Sequence, residues 1–437
     1  MSSKITDIVQ DKNRVKISKK NTPLNPILFI ALVGIAFLNL DYIYGFIFIL
    51  LYISMEILLI GKFPLMKEMY LLFLIILIGI ASSLVNLDNL NEINIIRDLS
   101  YFFRTLFLIY CGYYLGWKNK KNIDYTKFIF SIIVVYSFLV VFFNFLHILF
   151  NLNFIIQDFS FLKIRETMGT SDELWIIGLF ILYVYPRYYG MKLFTNKVEK
   201  IFYLFFYMAF FVTFSRTSII NFFICLFIYT LFNGKIKIKH ILFAPLLIIF
   251  ISLFLVFLLK LEFMQPFVLK IENTLVELSI KTDWSRYENI VQNWRGYEVF
   301  VALNQFNNFS LLQKIMGNGF GTLIPVKYTN LVGVPLENGG IILLHNGYYT
   351  LLLKTGICGL LCYLLFFCRL ILLSLKSYSD NAMESIILLS ISVITLVNTY
   401  TTTGIFKSTY SFITLIFMGF LIFIISRKRK YNLEGLR

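Results

Sequence analysis

Long apolar segments recur along the whole chain and are separated by short polar or charged stretches. A helix of about 20 apolar residues is long enough to cross about 30 Å of hydrocarbon. Most of the apolar segments approach this length, and they predict about twelve transmembrane helices. These lie near residues 26–40, 43–60, 69–86, 98–117, 127–150, 173–189, 200–215, 217–233, 241–260, 346–368, 386–402 and 409–426.

One connection differs in kind from the others. Residues 261–345 separate the ninth and tenth predicted spans, and connections longer than about 15 residues usually carry structure or function of their own. The segments FVLKIENTLVEL and SRYENIVQNWRGYEVFVAL have helical periodicity, and a glycine-rich GNGFGT follows them. We therefore predict a large helical extracytoplasmic loop that covers the outer face.

The composition indicates an all-α polytopic membrane protein. Hydrophobic residues make up 58% of the chain and charged residues 15%, whereas a soluble domain typically has about 25% charged residues. The net charge of +16 does not indicate a nucleic-acid partner here, because cytoplasmic segments of membrane proteins are enriched in Lys and Arg.

The distribution of these basic residues predicts the orientation. With the N-terminus in the cytoplasm, about two-thirds of the 40 Lys and Arg residues fall in cytoplasmic segments. The predicted order is a cytoplasmic basic tail (1–25), nine spans (26–260), the large outer loop (261–345), three spans (346–426) and a second cytoplasmic basic tail (427–437). Both termini are cytoplasmic in this topology.

Several arginines lie on the predicted outer side, where the charge rule disfavours them. The planar guanidinium group offers donors that match phosphate oxygens, so a group of arginines beneath the loop would suit a phosphorylated lipid headgroup. Single members could instead pair with nearby carboxylates or extend to the membrane surface. The candidates are Arg97, Arg104, Arg165, Arg216, Arg286 and Arg295.

His345 and Asn346 stand where the tenth predicted span begins. Imidazole readily takes up a proton near neutral pH, so His345 is a candidate general base for a hydroxyl nucleophile. A histidine at the membrane surface can also be a structural hydrogen-bonding residue, and Asn346 could cap the helix or orient the histidine. Lys354 lies about 14 Å deeper on the same helix, where a lysine is costly unless it faces a polar cavity.

Motifs for metal or nucleotide binding are absent from the sequence. There is no DxD pair, no CxxC and no HxxxH, and GNGFGT lacks the Lys-Ser/Thr that completes a phosphate-binding P-loop. We therefore expect no cofactor and no metal, and an enzyme of this kind would use positive charge to stabilise a leaving group.

Four motifs follow one another along the chain: TFSRTS (213–218), W-R-x-x-E (294–298), GNGFGT (317–322) and HNGYYTLLLKTGICG (345–359). In this order and topology they resemble the O-antigen polymerase and ligase family of bacterial membrane glycosyltransferases. Its usual final element is H-N-x-x-L followed by G-x-x-G, and Tyr349 here replaces the leucine. Tyr297 replaces the usual tryptophan after the loop arginine, which leaves open whether Arg286 or Arg295 is the counterpart.

The resemblance implies a GT-C-like fold in the bacterial inner membrane. It also implies transfer of an oligosaccharide from undecaprenyl diphosphate to an acceptor hydroxyl on the outer face of that membrane. By position, His345 would deprotonate or position the hydroxyl, and Arg216 and Arg295 would stabilise the diphosphate as it leaves. We assign substrate contacts to the other candidates, which are Arg104, Arg286, Tyr297, Glu298, Asn346, Tyr349 and Lys354.

Three functions remain open at this point. A polymerase would join lipid-linked repeats, and we prefer it because a divergent chain rich in Phe, Ile, Asn and Lys is typical of polymerases. A ligase would move the finished chain to an acceptor such as lipid A core. A flippase for the same lipid-linked oligosaccharide is the non-enzymatic alternative, but it would have short loops and two related halves. Whether a chain-length regulator binds is also open.

Overall fold

In the computed structural model, the described residues are 64–87, 90–119, 123–153, 174–213, 215–233, 284–327, 340–406 and 412–434, with six single residues between 47 and 58. The predicted spans near 26–40, 43–60 and 241–260 lie outside these continuous segments. Within the described residues the chain is almost entirely helical, with an isolated β-bridge between Ile324 and Ile341.

The described part of the chain contains twelve α-helices, numbered here in chain order. They are α1 (Tyr70–Val85), α2 (Glu92–Lys118), α3 (Ile123–Phe150), α4 (Leu174–Tyr189), α5 (Asn196–Thr213), α6 (Arg216–Asn233), α7 (Tyr287–Gln292), α8 (Trp294–Asn307), α9 (Leu311–Met316), α10 (Gly347–Lys376), α11 (Ala382–Thr401) and α12 (Phe412–Glu434). Short 3-10 turns precede α1 (Lys67–Met69) and follow α11 (Gly404–Phe406).

Nine of the predicted spans each coincide with one helix, namely α1–α6 and α10–α12. Among the described residues, four helical segments are long and apolar enough to cross a membrane: Lys67–Val85, Tyr125–Phe150, Gly347–Lys376 and Ala382–Thr401. Large apolar side chains such as those on α5 and α6 face outward, as a lipid environment allows and water disfavours. The prediction of a helical membrane protein is thus confirmed for the described residues.

Some helices extend beyond their predicted bounds. Helix α2 begins at Glu92 rather than near residue 98, because the Asn91 side chain caps it by accepting from the backbone N–H of Ile93 at 2.9 Å. Helix α10 continues to Lys376, and α12 continues to Glu434, inside the predicted tail. Apolar segments mark the membrane-crossing part of a helix, whereas caps and polar turns set its full length.

Helices α2 and α12 pack most extensively against each other, with their backbones in contact. A Cβ on Gly112 would lie 1.7 Å from the carbonyl oxygen of Ile416, and one on Gly419 would lie 1.8 Å from that of Ile109. Small residues allow membrane helices to approach this closely. These two glycines therefore allow the close approach of α2 and α12.

The described part of the predicted outer loop comprises residues 284–327 and 340–345. Residues 284–327 form helices α7–α9, and buried apolar side chains of α7 and α8 pack in one cluster. The segment SRYENIVQNWRGYEVFVAL divides at Asn293 into α7 and α8, while FVLKIENTLVEL lies outside the described residues. Trp294 and Tyr297 pack in this cluster with Leu344 and Leu353 from the chain around the start of α10. The prediction of helices in this loop is confirmed for the part that is described.

Helix α10 is interrupted at Gly356, where φ is +64° and ψ is −166°. The carbonyls of Leu353 and Lys354, which the break would otherwise leave unpaired, accept from the backbone N–H groups of Asn318 at 2.9 Å and Gly319 at 3.1 Å. A broken helix is tolerated at membrane depth only where other protein groups satisfy its backbone. Here the glycine-rich segment supplies those groups.

The glycines of this segment, Gly317, Gly319 and Gly321, all have positive φ. A Cβ on Gly317 would lie 2.4 Å from the backbone of Lys354, and one on Gly319 would lie 2.5 Å from the backbone of Ser83 on α1. The GNGFGT motif therefore inserts between α1, α2 and α10 as a close-packed structural element.

Candidate functional site

A pocket opens where the first turns of α8 and α10 meet the last turn of α11. Helix α8 supplies one cation, the start of α10 supplies an imidazole, an amide and a phenol, and α11 supplies a second phenol. The lining residues are Arg295, Gly296, Val299, His345, Asn346, Tyr349 and Tyr400.

Hydrogen bonds tie the start of α10 to the chain that follows α11. The backbone N–H of Gly347 donates to the carbonyl of Thr402 at 2.9 Å, and the Thr403 hydroxyl donates to the carbonyl of Leu344 at 3.0 Å. The Asn346 side chain caps α10 by accepting from the backbone N–H of Tyr348 at 3.1 Å. His345 is thereby held at a fixed position beside the end of α11, and the capping role expected of Asn346 is confirmed.

His345 contacts a buried carboxylate. Its Nδ1 lies 2.9 Å and 3.1 Å from the two carboxylate oxygens of Glu298, and its backbone N–H donates to Glu298 Oε2 at 3.0 Å. The side chain of His345 is 44% exposed, whereas that of Glu298 is 1% exposed. One member of this pair is therefore accessible from the pocket and the other is not.

Arg295 and His345 give the pocket its chemistry. A guanidinium group can hold phosphate oxygens through paired hydrogen bonds, and an imidazole can accept a proton from a hydroxyl group. Tyr349 and Tyr400 add ring faces and hydroxyl groups that suit a polar ligand such as a sugar. The arrangement can bind an anionic group next to a proton acceptor.

Other predicted site residues of the segment 284–327 do not line the pocket. Glu298 lies behind His345. Tyr297 is buried, and its hydroxyl accepts from the backbone N–H of Lys327 at 3.3 Å. Arg286 is exposed at the start of α7. Of the two loop arginines left open by the sequence, Arg295 is therefore the one that lines the pocket.

The remaining predicted residues lie elsewhere. Arg104 is buried on α2, with its guanidinium carbon 5.7 Å from the centroid of the Tyr101 ring. Arg216 is the first residue of α6, and its side chain is outside the described part of the structure, as is the whole of Arg165. The structure thus brings together Arg295, His345, Asn346 and Tyr349, with Glu298 adjacent.

Lys354 is fully buried, and it is bonded to protein groups and does not line the pocket. Its ammonium group donates to Asp98 on α2 and, at 3.0 Å, to the carbonyl of Thr322. Asp98 also accepts from the backbone N–H of Gly321 at 2.7 Å. Lys354 and Asp98 are both 0% exposed, so the lysine is satisfied by an acidic partner and by the inserted glycine-rich segment.

Sequence reasoning missed two residues of the site, Tyr400 and Trp294. Tyr400 lines the pocket, and the indole N–H of Trp294 donates to Glu298 at 2.7 Å. The polar run NTYTTTG at the end of the eleventh predicted span was a signal for Tyr400. The spacing of Trp294 four residues before Glu298 places both on one face of a helix, which was a signal for their contact.

The chain was compared with family models and with curated proteins, and none of them matches it.

Proposed function

We propose that the protein polymerises undecaprenyl-diphosphate-linked oligosaccharide repeats into a surface polysaccharide, such as O antigen or capsule, on the outer face of the bacterial plasma membrane. The observation that carries this proposal is that Arg295 and His345, which come from separate motifs, line one pocket with Asn346 and Tyr349. These residues belong to two of the four motifs that resemble the polymerase and ligase family. The apolar helices around them are consistent with a lipid-linked substrate.

In this proposal the donor is the growing chain on one lipid diphosphate, and the acceptor is a sugar hydroxyl of the next lipid-linked repeat. A bond forms between the acceptor oxygen and the anomeric carbon of the donor, and the bond from that carbon to the diphosphate oxygen breaks. The hydroxyl proton passes to His345, and the electron pair leaves with undecaprenyl diphosphate. The product is a chain longer by one repeat.

Arg295 has the electrostatic task in this reaction. The leaving diphosphate gains negative charge as the glycosidic bond breaks, and a guanidinium group in place before the reaction stabilises that charge. Arg216 is proposed for the same task from the family resemblance. Asn346, Tyr349 and Tyr400 would contact the sugars.

Chain growth by purified protein tests the proposal. The protein is placed in lipid nanodiscs with the lipid-linked repeat from cells that lack it, and the products are separated by size on a gel. We expect a ladder of chain lengths from the wild-type protein. Arg295→Gln and His345→Gln should each slow its formation by about 10²- to 10⁴-fold.

Lys327→Gln is the matched control, because Lys327 is an exposed cation of the same segment with no role in the proposed site, and its replacement should leave the ladder unchanged. A folded wild-type protein that forms no ladder would contradict the proposal. In cells, loss of a polymerase leaves single repeats on the final acceptor, whereas loss of a ligase leaves long chains on the lipid carrier.

A further inference from the structure

Glu298 has an unusual environment for a residue beside a pocket. Its carboxylate is buried, and each oxygen already accepts hydrogen bonds from protein groups. The donors are the indole N–H of Trp294 at 2.7 Å and the backbone N–H of His345 at 3.0 Å, and the imidazole Nδ1 of His345 lies within 2.9 Å. A substrate cannot reach this carboxylate without displacing His345.

We infer that Glu298 is a positioning residue that fixes His345 with its hydrogen on Nδ1 and its Nε2 lone pair available to the acceptor hydroxyl. The inference rests on the proposed function of His345 as the proton acceptor. It assigns to Glu298 a role that acts through the imidazole instead of the substrate contact expected from sequence.

The argument begins with hydrogen-bond chemistry. A carboxylate only accepts, so Nδ1 carries the hydrogen in its contact with Glu298, and the other ring nitrogen then has a free lone pair. The same carboxylate binds the backbone N–H of His345, so it fixes both the ring and the chain that bears it. Rotation of the imidazole away from the pocket would break the ring contact.

The second step is that Glu298 is itself held in place. Trp294 lies one turn before it on α8 and is 8% exposed, and the indole donates to the same carboxylate oxygen that contacts Nδ1. Trp294 belongs to a buried apolar cluster that also contains Tyr297, so the indole donor is itself held by packing. A buried carboxylate with this set of donors also places a negative charge beside the imidazole, which favours the protonated ring formed during the reaction.

An amide at this position cannot reproduce the arrangement. All three partners of Glu298 are donors, so the NH₂ group of Glu298→Gln must face a donor in either orientation. In this variant the imidazole is no longer fixed as the tautomer with hydrogen on Nδ1. The hydrogen moves to Nε2, where a lone pair is needed to accept the hydroxyl proton. Glu298→Asp keeps the charge and the acceptor oxygens with a side chain shorter by one methylene group, and should restore part of the wild-type behaviour.

The first experiment determines which ring nitrogen of His345 carries the hydrogen, and it requires no substrate. The chain has only three histidines, so ¹⁵N-labelled histidine in the full protein gives few ring signals, and His345→Gln identifies the one from His345. We expect Nδ1–H in the wild type and in Glu288→Gln, which changes an exposed carboxylate of α7. We expect Nε2–H to increase in Glu298→Gln, and Trp294→Phe to show a smaller change in the same direction.

The second experiment measures chain growth against the concentration of the lipid-linked repeat. We expect Glu298→Gln to lower turnover by about 10²-fold or more with little change in the concentration that gives half-maximal growth, because Glu298 acts on the imidazole and does not touch the substrate. Glu298→Asp should recover part of the turnover, and Glu288→Gln should match the wild type. If Glu298→Gln does not fold, Glu298→Asp and Trp294→Phe carry the test.

The outcomes separate the two proposals. A wild-type protein that builds no chains contradicts the proposed function, while the ring signals still decide whether Glu298 sets the state of His345. A wild type that builds chains, with Glu298 variants that keep Nδ1–H and the wild-type turnover, overturns the positioning role alone.

Discussion

Two acid–base pairs involve the first part of α10, and their surroundings are opposite. The outer pair, Glu298 and His345, buries its acid and leaves 44% of the histidine side chain exposed. The inner pair, Asp98 and Lys354, is 0% exposed on both sides. A pair with one accessible member can exchange a proton with a ligand, whereas a pair without one can only stabilise the fold.

The difference also appears in the partners. The inner pair joins α2, α10 and the glycine-rich segment through backbone groups of Gly321 and Thr322. The outer pair connects α8 to the start of α10 at the mouth of a pocket. The presence of an acid–base pair near the start of α10 therefore does not by itself define a site. The exposure of its members decides which pair can act on a substrate.

The largest expected effect on stability comes from breaking the inner pair on one side. Lys354→Met leaves Asp98 as an uncompensated buried charge, which should cost about 3–5 kcal/mol and lower the thermal unfolding midpoint measured in detergent. The double variant Asp98→Asn and Lys354→Met removes both charges and keeps an acceptor for Gly321, so it should recover most of the loss. A wild-type midpoint for Lys354→Met alone would show that the inner pair does not stabilise the fold.

An intermediate effect is expected at the helix break beside the inner pair. Gly356→Ala places a Cβ 2.3 Å from the carbonyl oxygen of Ile315 in a backbone with φ of +64°, and should lower stability by about 1–3 kcal/mol. The control is Gly190→Ala, where φ is +66° and nothing lies within 4 Å of the added Cβ. Unfolding midpoints measured in parallel should fall further for Gly356→Ala than for Gly190→Ala. Equal decreases would mean that the close packing of residues 315–317 against α10 does not contribute to stability.

The smallest effect on stability is expected at the outer pair. A hydrogen bond from a partly exposed side chain contributes about 0.5–1.5 kcal/mol to stability, and Glu298 keeps the donors from Trp294 and the backbone when His345 is changed. His345→Gln should therefore unfold within a few degrees of the wild type while chain growth is lost. A drop in its midpoint as large as that of Lys354→Met would place His345 with the structural residues.

The sequence predicted most of the membrane helices and only part of the site. Helices such as α1 and α11 were predicted because a long apolar segment is enough to indicate a membrane helix, whatever the rest of the chain contains. The early start of α2 depends on the single side chain of Asn91, which an apolar window does not detect. The break at Gly356 was not predicted either, because it depends on carbonyl partners at Asn318 and Gly319.

The site shows the same limit. The cost of Lys354 at its depth was predictable from sequence, but its partner Asp98 lies on a helix from a distant part of the chain. That Arg295 and His345 belong to one site was expected only from the family resemblance. Periodicity and composition describe each helix separately, whereas a pocket formed by α8, α10 and α11 depends on how the helices pack.

The interrupted helix α10 has a consequence for biogenesis. The backbone donors that satisfy its free carbonyls belong to Asn318 and Gly319, so ribosomes complete them before they complete the helix. A nascent α10 that enters the bilayer can meet these donors without waiting for later segments. Asn318 and Gly319 thus precede the helix that requires them, and membrane insertion of α10 is expected to slow when residues 317–321 are deleted.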